Sequence, residues 1–109
     1  MPSSATNRFR LAQMAPHARR HAEQLLWEVG APLVVSSTRR SEARNLRVGG
    51  SPTSFHLTGR AVDLTGDKTT LIRAAGLAWA LRVGEGCTGP EEVLLEGLGT
   101  SKQHLHVAW

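Results

Sequence analysis

Apolar residues recur every three or four positions between Asn7 and Val29, which is the spacing of one buried helical face. These positions are Phe9, Leu11, Met14, Ala18, Ala22, Leu25, Leu26 and Val29. Pro16 lacks an amide donor and clashes with the preceding turn, so it predicts a short helix followed by a longer one. We expect the second helix to end at Gly30, with Pro32 preventing its continuation.

Four shorter segments have the composition or the alternation of β-strands. They are Pro32–Ser37, Ala61–Leu64, Glu91–Glu96 and His104–Trp109. The last two are separated by residues 97–103, a turn rich in Gly, Ser and Thr, and are close enough in sequence to pair as a hairpin.

Two more helices are predicted between the strands. Ser41 can cap a short helix through Asn45, and Asp67 can cap a longer one that runs to about Val83. The longer helix has a broad apolar face and is expected to cover the sheet. That face comprises Leu71, Ile72, Ala75, Leu77, Ala78, Trp79, Leu81 and Arg82.

This order of elements predicts an α+β fold, with a small, mainly antiparallel sheet covered by helices. At 109 residues, the chain 1–109 is expected to form one domain, with residues 1–6 as a frayed terminus. The composition, 40% hydrophobic and 20% charged residues, is that of a soluble globular protein.

The sequence shows neither a membrane-spanning run nor the features of a secretory signal. No apolar run reaches the roughly 18 to 20 residues that cross a bilayer, so membrane insertion is not expected. Residues 1–10 lack the apolar core of a secretory signal, which predicts a chain made in the cytoplasm, or a mature form whose signal has been removed. Cys87 is the one cysteine, so an internal disulfide is excluded, and we interpret it as a small loop residue.

The formal charge of +4 and the pI near 10.6 favour polyanionic surroundings. Nucleic acid is not the expected partner, because the basic residues are dispersed and aromatic residues, which could form a stacking platform, are scarce. An anionic bacterial cell wall would attract the same charge. Charge by itself does not choose between the two.

The strongest candidate chemistry lies in the middle of the chain. His56 and Asp63 stand seven positions apart on either side of Gly59, which lets the chain fold back and aim both side chains at one point. On the closing strand, His104 and His106 point to one face because strand side chains alternate. A catalytic zinc site takes three protein ligands, and the third would come from this strand. The other histidines are interpreted as surface residues: His17 and His21.

The stretch Ser54-Phe55-His56-Leu57-Thr58-Gly59-Arg60-Ala61-Val62-Asp63 closely resembles the Ser-x-His-x-x-Gly-x-Ala-x-Asp signature of the M15 zinc peptidases. That family includes D-alanyl-D-alanine carboxypeptidases and phage L-alanyl-D-glutamate endopeptidases, and it shares its fold with the Hedgehog signalling domain. Ser37–Gly50 is similar to the family's Ser-Gly-Tyr-Arg-Ser-x-x-x-Asn segment, and His104–Trp109 to its C-terminal His-x-His stretch. The resemblance covers residues 32–109.

The resemblance implies one zinc ion bound by His56, Asp63 and His106. It places His104 beside the metal, where it could donate to the tetrahedral intermediate. Arg40 stands where the family's arginine binds a substrate carboxylate or the scissile carbonyl, a role that suits a planar two-pronged donor.

Two assignments stay open within the resemblance. Arg39 occupies the family's usual aromatic position, so a shift of one residue between Arg39 and Arg40 is possible. Ser54 would orient nearby loop groups or the substrate, or serve only as a cap.

Attack of water on a peptide bond also needs a carboxylate that takes and passes on a proton. Many relatives place an acid three to six residues before the last histidine ligand, but residues 100–103 contain none. Glu96, at the end of the preceding strand, is the nearest acid and is the candidate general base. Glu91 and Glu92 are alternatives that we expect to be surface residues.

The resemblance, together with these features, implies a zinc peptidase that cleaves the peptide stems of bacterial peptidoglycan. The small size and the absence of a signal favour a phage- or prophage-type endolysin, acting on the cell wall as a monomer. A D,D-carboxypeptidase of wall maintenance would use the same residues. A zinc-bearing binding module without activity is the structural alternative, because the residues before the last histidine lack an acid.

Overall fold

The computed structural model describes residues 5–51, 54–84 and 89–109. Its helices are Ala5–Leu11 (α1), Pro16–Val29 (α2), Glu42–Arg47 (α3) and Lys68–Gly84 (α4), and a short 3-10 helix spans Phe55–Thr58. Its strands are Val34–Ser37 (β1), Ala61–Thr65 (β2), Glu92–Glu96 (β3) and His104–Ala108 (β4). Residues 1–4 and Cys87 lie outside the described residues. Among the described helices, none is long and apolar enough to span a membrane.

The four strands form one antiparallel sheet in the order β1-β2-β4-β3. β3 and β4 are neighbours joined by residues 97–103, as the hairpin prediction requires. β2 lies between β1 and β4, so a strand from the middle of the chain pairs with the C-terminal one. The predicted α+β fold, with a small antiparallel sheet and covering helices, is confirmed.

One face of the sheet packs against helices and holds the core. The fully buried residues that alternate onto this face from the two middle strands are Val62, Leu64, Leu105 and Val107. They belong to one hydrophobic cluster with the buried strips of α2 and α4, namely Ala18, Ala22, Leu25, Val29, Leu71, Ala74, Ala75 and Ala78. The opposite face carries Asp63 and His106, because side chains alternate along each strand.

Capping contacts confirm the predicted starts of α2, α3 and α4 and the predicted end of α2. Two boundaries differ from the prediction: α1 begins at Ala5, within the stretch 1–6 expected to be frayed, and α3 continues to Arg47 rather than ending at Asn45. Pro16 is the first residue of α2, where a missing amide donor costs nothing, and Gly30 follows the helix with a left-handed φ of 64°. The Ser41 hydroxyl accepts a 3.1 Å hydrogen bond from an amide in the first turn of α3. Asp67 accepts one of 2.8 Å from an amide in the first turn of α4.

The expected buried faces of α1 and α4 are wrong at Arg82, which is exposed, and at three large apolar residues. Phe9, Ile72 and Trp79 have exposed fractions of 69%, 47% and 47%. Alanines make up much of the buried strips of α2 and α4. Each helix therefore buries a narrower face than its apolar pattern predicts.

Asn7, a polar residue, is buried in α1 instead. Its Nδ2 donates a 2.8 Å hydrogen bond to the Leu33 carbonyl, and its Oδ1 accepts one of 2.9 Å from the Val35 amide. β1 is an edge strand, and these bonds occupy backbone groups that another strand would otherwise take. α1 therefore covers an edge of the sheet.

Leu64→Ala should lower the free energy of unfolding by about 2–5 kcal/mol, because it removes a fully buried side chain and leaves a cavity. Leu46→Ala is the matched control, since Leu46 is 81% exposed and its truncation should cost less than about 0.5 kcal/mol. Urea unfolding followed by circular dichroism measures both. Equal losses in the two variants would contradict this description of the core.

Candidate metal centre

His56 is held by a short helical turn that the local sequence favours. The Ser54 hydroxyl caps the turn by accepting a 3.2 Å hydrogen bond from the His56 amide. Gly59 follows with a left-handed φ of 70°, and a side chain added there would lie 3.0 Å from the backbone nitrogen of Ala15. Glycine therefore allows the chain to reverse between His56 and β2.

Asp63 and His106 are brought together by strand register. They are direct partners in the antiparallel pairing of β2 with β4, so their side chains stand next to each other on one face. His56 approaches from the turn that precedes β2. His56 and Asp63 are buried, with exposed fractions of 1% and 8%, and His106 is partly buried.

The three side chains converge on one carboxylate oxygen. Asp63 Oδ1 lies 3.1 Å from His56 Nε2 and 3.0 Å from His106 Nδ1. Taking one ligand atom from each residue, all three atoms lie within 4.8 Å of one another. Among the described residues, this candidate metal-binding group contains His106 and does not contain His104.

The other nitrogen of each ring has a fixed acceptor. His56 Nδ1 is hydrogen-bonded to the Thr38 carbonyl, and His106 Nε2 lies 2.9 Å from Glu92 Oε1. A carbonyl and a carboxylate can only accept, so these two nitrogens would carry the ring protons in rings that bind a metal through their other nitrogen. The lone pairs of His56 Nε2 and His106 Nδ1 would then point to the same place as Asp63 Oδ1. Three electron-rich atoms in this arrangement need positive charge between them.

The close contacts among these side chains shift the pKa values of Asp63 and His106. Burial opposes the charged form of Asp63, but hydrogen bonds from His106 and His56 and their charges outweigh it, so the pKa of Asp63 lies well below its usual value. Burial also opposes the charged form of His106, but the carboxylates of Asp63 and Glu92 outweigh it and raise the pKa of His106. A divalent cation bound between the three side chains would supply positive charge at the same place.

Arg40, rather than Arg39, faces the site. Its Nη2 lies 3.2 Å from Asp63 Oδ2, the carboxylate oxygen opposite the one that the histidines share. Its Nη1 donates a 3.2 Å hydrogen bond to the side-chain oxygen of Asn45, and its amide donates one of 3.0 Å to the His56 carbonyl. Arg39 is exposed and does not line the pocket that borders His56, Asp63 and His106.

A pocket of about 270 Å³ opens from these residues and is also lined by Glu96 and His104. Glu96 and His104 are direct partners across β3 and β4, with 3.5 Å between Glu96 Oε1 and His104 Nε2. His104 Nδ1 donates a 2.8 Å hydrogen bond to the Lys102 carbonyl.

Glu92 also lines the pocket, so the expectation that it is merely a surface residue is wrong. Glu92 and Glu96 share a strand face, and this alternation along β3 is the sequence signal that points to Glu92. Glu91 does not line the pocket; it is exposed and forms a 3.1 Å ion pair with Arg60.

A sequence model of the peptidase M15 family matches residues 3–108. The chain belongs to the M15 peptidases. In structure it resembles the L-Ala D-Glu endopeptidase ChiX of Serratia marcescens, with 26% sequence identity and a TM-score of 0.61. The match covers 95% of this chain and 86% of that one. A comparison with curated proteins finds no match.

The donor set of this M15 peptidase fits zinc. Two imidazole nitrogens and one carboxylate oxygen meet, the far nitrogen of each ring is held by an acceptor, and the site borders an open pocket. Three protein ligands with an open fourth position are the arrangement of a catalytic zinc site. Ser54 lines the pocket as well as capping the turn. The histidines assigned to the surface, His17 and His21, are exposed on α2.

His56→Ala should weaken zinc binding by more than the roughly 10–100-fold that loss of an outer-shell partner costs, because it removes a direct ligand. His17→Ala is the matched control and should leave the affinity unchanged, since His17 is exposed on α2. Competition with a chromophoric chelator, starting from metal-free protein, measures both affinities. Wild-type affinity in His56→Ala would rule this site out.

Proposed function

We propose that this M15 peptidase is a zinc-dependent endopeptidase that cleaves the L-Ala–D-Glu bond in the stem peptides of bacterial peptidoglycan. The observation that carries the proposal is the convergence of His56, Asp63 and His106 beside a pocket that also contains Glu96 and Arg40. The likeness to an L-Ala D-Glu endopeptidase supports the choice of bond.

When bound by His56, Asp63 and His106, zinc would activate water for attack and polarise the scissile carbonyl. Glu96 is the proposed general base: its carboxylate takes a proton from the attacking water and passes it to the leaving amine. A C–O bond forms and the peptide C–N bond breaks, so one water is consumed. The Glu96 side chain is 57% exposed, which leaves it accessible to substrate.

His104 is proposed to support the same step from beside Glu96. Its Nδ1 is engaged by the Lys102 carbonyl, so Nε2 is the atom that can reach the reaction. In the charged ring, Nε2 carries a proton that can be donated to the oxygen on which negative charge develops.

Arg40 is proposed to bind a carbonyl or a carboxylate of the substrate. Its guanidinium is already held by Asp63 and Asn45, so little freedom is lost when a substrate binds. Ser54, on the same pocket, is proposed to orient substrate groups through its hydroxyl.

The formal charge of +4 supports a polyanionic target such as the cell wall, which is the proposed place of action. We propose that the protein acts there as a monomer of the endolysin type, without a nucleic-acid partner.

A D,D-carboxypeptidase is the second candidate, and Arg40 is the observation that favours it. A planar, two-pronged donor in the pocket would suit the free carboxylate of a terminal D-Ala. The zinc ligands and the base would be the same, so only the products separate the two activities.

Purified peptidoglycan incubated with the zinc-loaded protein should release products with D-Glu as a new amino terminus, identified by mass spectrometry. A chelator should abolish the release and added zinc should restore it, because the chemistry depends on the ion. Release of free D-Ala instead would assign the carboxypeptidase activity. Tight zinc binding without hydrolysis would contradict both and favour a binding module.

Glu96→Gln should lower kcat by roughly 10²–10⁴-fold and leave zinc affinity unchanged, because proton transfer is lost while every metal ligand remains. Glu91→Gln is the matched control, since Glu91 does not line the pocket and its loss should preserve kcat. Steady-state hydrolysis of a stem peptide measures both. A wild-type kcat in Glu96→Gln would remove Glu96 as the base.

A further inference from the structure

We infer that Glu92 is a positioning residue for the metal site: its carboxylate fixes the tautomer and orientation of His106, so that Nδ1 is presented to zinc. The inference rests on the proposed zinc site and assigns to Glu92 a role different from that of the general base.

Glu92 and His106 are in direct side-chain contact, through one atom of each. Glu92 Oε1 lies 2.9 Å from His106 Nε2, while His106 Nδ1 lies 3.0 Å from Asp63 Oδ1. The ring is thus held at both nitrogens by two carboxylates. The His106 side chain is 13% exposed and that of Glu92 42%, so the contact lies at the edge of the pocket.

Strand register explains how Glu92 reaches this ring. The direct partner of His106 on β3 is Leu94, and the direct partner of Glu92 on β4 is Ala108. Glu92 is therefore the diagonal neighbour of His106 on the same face, within reach of a long side chain.

The same contact separates the roles of the two acids on β3. The nitrogens of an imidazole point away from each other, so a carboxylate bound to Nε2 of His106 lies on the far side of the ring from the ligand atom Nδ1. Glu96 is instead paired with His104, which is not one of the three proposed ligands. Glu92 is placed to orient a ligand, and Glu96 is placed to move a proton.

The two histidine ligands are held by acceptors of different strength. His56 Nδ1 is bound to the neutral carbonyl of Thr38, whereas His106 Nε2 is bound to a carboxylate. A charged acceptor makes a stronger hydrogen bond and increases the basicity of the ring nitrogen that binds the metal. His106, on the C-terminal strand, is therefore the ligand that depends on a side chain for its orientation.

Zinc affinity of two Glu92 variants tests the inference. Glu92→Ala removes the acceptor and should weaken zinc binding by roughly 10–100-fold. Glu92→Gln keeps an oxygen that can accept from Nε2, so it should recover part of that loss. Glu91→Ala, which removes the neighbouring carboxylate outside the pocket, is the matched control and should bind zinc like the wild type. Chelator competition on metal-free protein gives all four affinities.

Two further readouts separate positioning from other roles. With zinc saturating, Glu92→Ala should retain a kcat within a few-fold of wild type, whereas loss of a general base would cost roughly 10²–10⁴-fold. The thermal midpoint of the metal-free variant should fall only slightly, because an ion pair with a carboxylate that is 42% exposed contributes little to stability. A lowered midpoint with unchanged zinc affinity would make Glu92 merely structural and overturn the inference.

The outcomes for the two proposals are distinct. Wild-type protein that binds no zinc would overturn the proposed function, and the inference with it. Wild-type protein that binds zinc tightly, with equal affinity in Glu92→Ala, would overturn the positioning role alone. A kcat lost in Glu92→Ala at saturating zinc would also overturn it and would make Glu92 the base.

Discussion

The pairing of β2 with β4 is the constraint on which the site depends, because it sets Asp63 directly opposite His106. A slip of one residue would turn every side chain of one strand to the other face and send His106 into the core. The fully buried Leu64 and Leu105, partners in the same register, make such a slip costly. The alternation that builds the core therefore also aligns the candidate metal ligands Asp63 and His106.

Asp63 is the electrostatic centre of this arrangement. One of its oxygens contacts two histidines and the other contacts Arg40, so both ends of a nearly buried carboxylate have partners. A buried charge without such partners would be strongly destabilising. Because the same contacts keep the carboxyl group ionised, the site is prepared for a cation by residues that also serve folding.

The hairpin of β3 and β4 supplies the acidic side chains that the turn before His106 lacks. Residues 100–103 hold no acid, yet Glu92 and Glu96 lie on the pocket face of β3. Each contacts a different histidine of β4, His106 in one case and His104 in the other. One strand thus provides two carboxylates at a fixed spacing, and each carboxylate contacts a different histidine.

Much of the fold could be predicted because its causes are local. Pro16 and Gly30 delimit α2 through backbone conformation alone, and period-two alternation separates the two faces of the central strands. His56 and Asp63 are seven residues apart around Gly59, so a turn of the chain itself brings them together. These features need no knowledge of distant residues.

The sequence by itself determined the element types, the α+β class and the candidate ligands. Tertiary structure decided that Arg40 rather than Arg39 faces the carboxylate, that Asn7 is buried against an edge strand, and that Glu92 contacts His106. Each of these depends on which elements become neighbours and in what register. Periodicity assigns a side chain to a face, but it does not say which residue, distant in the chain, will lie beside it.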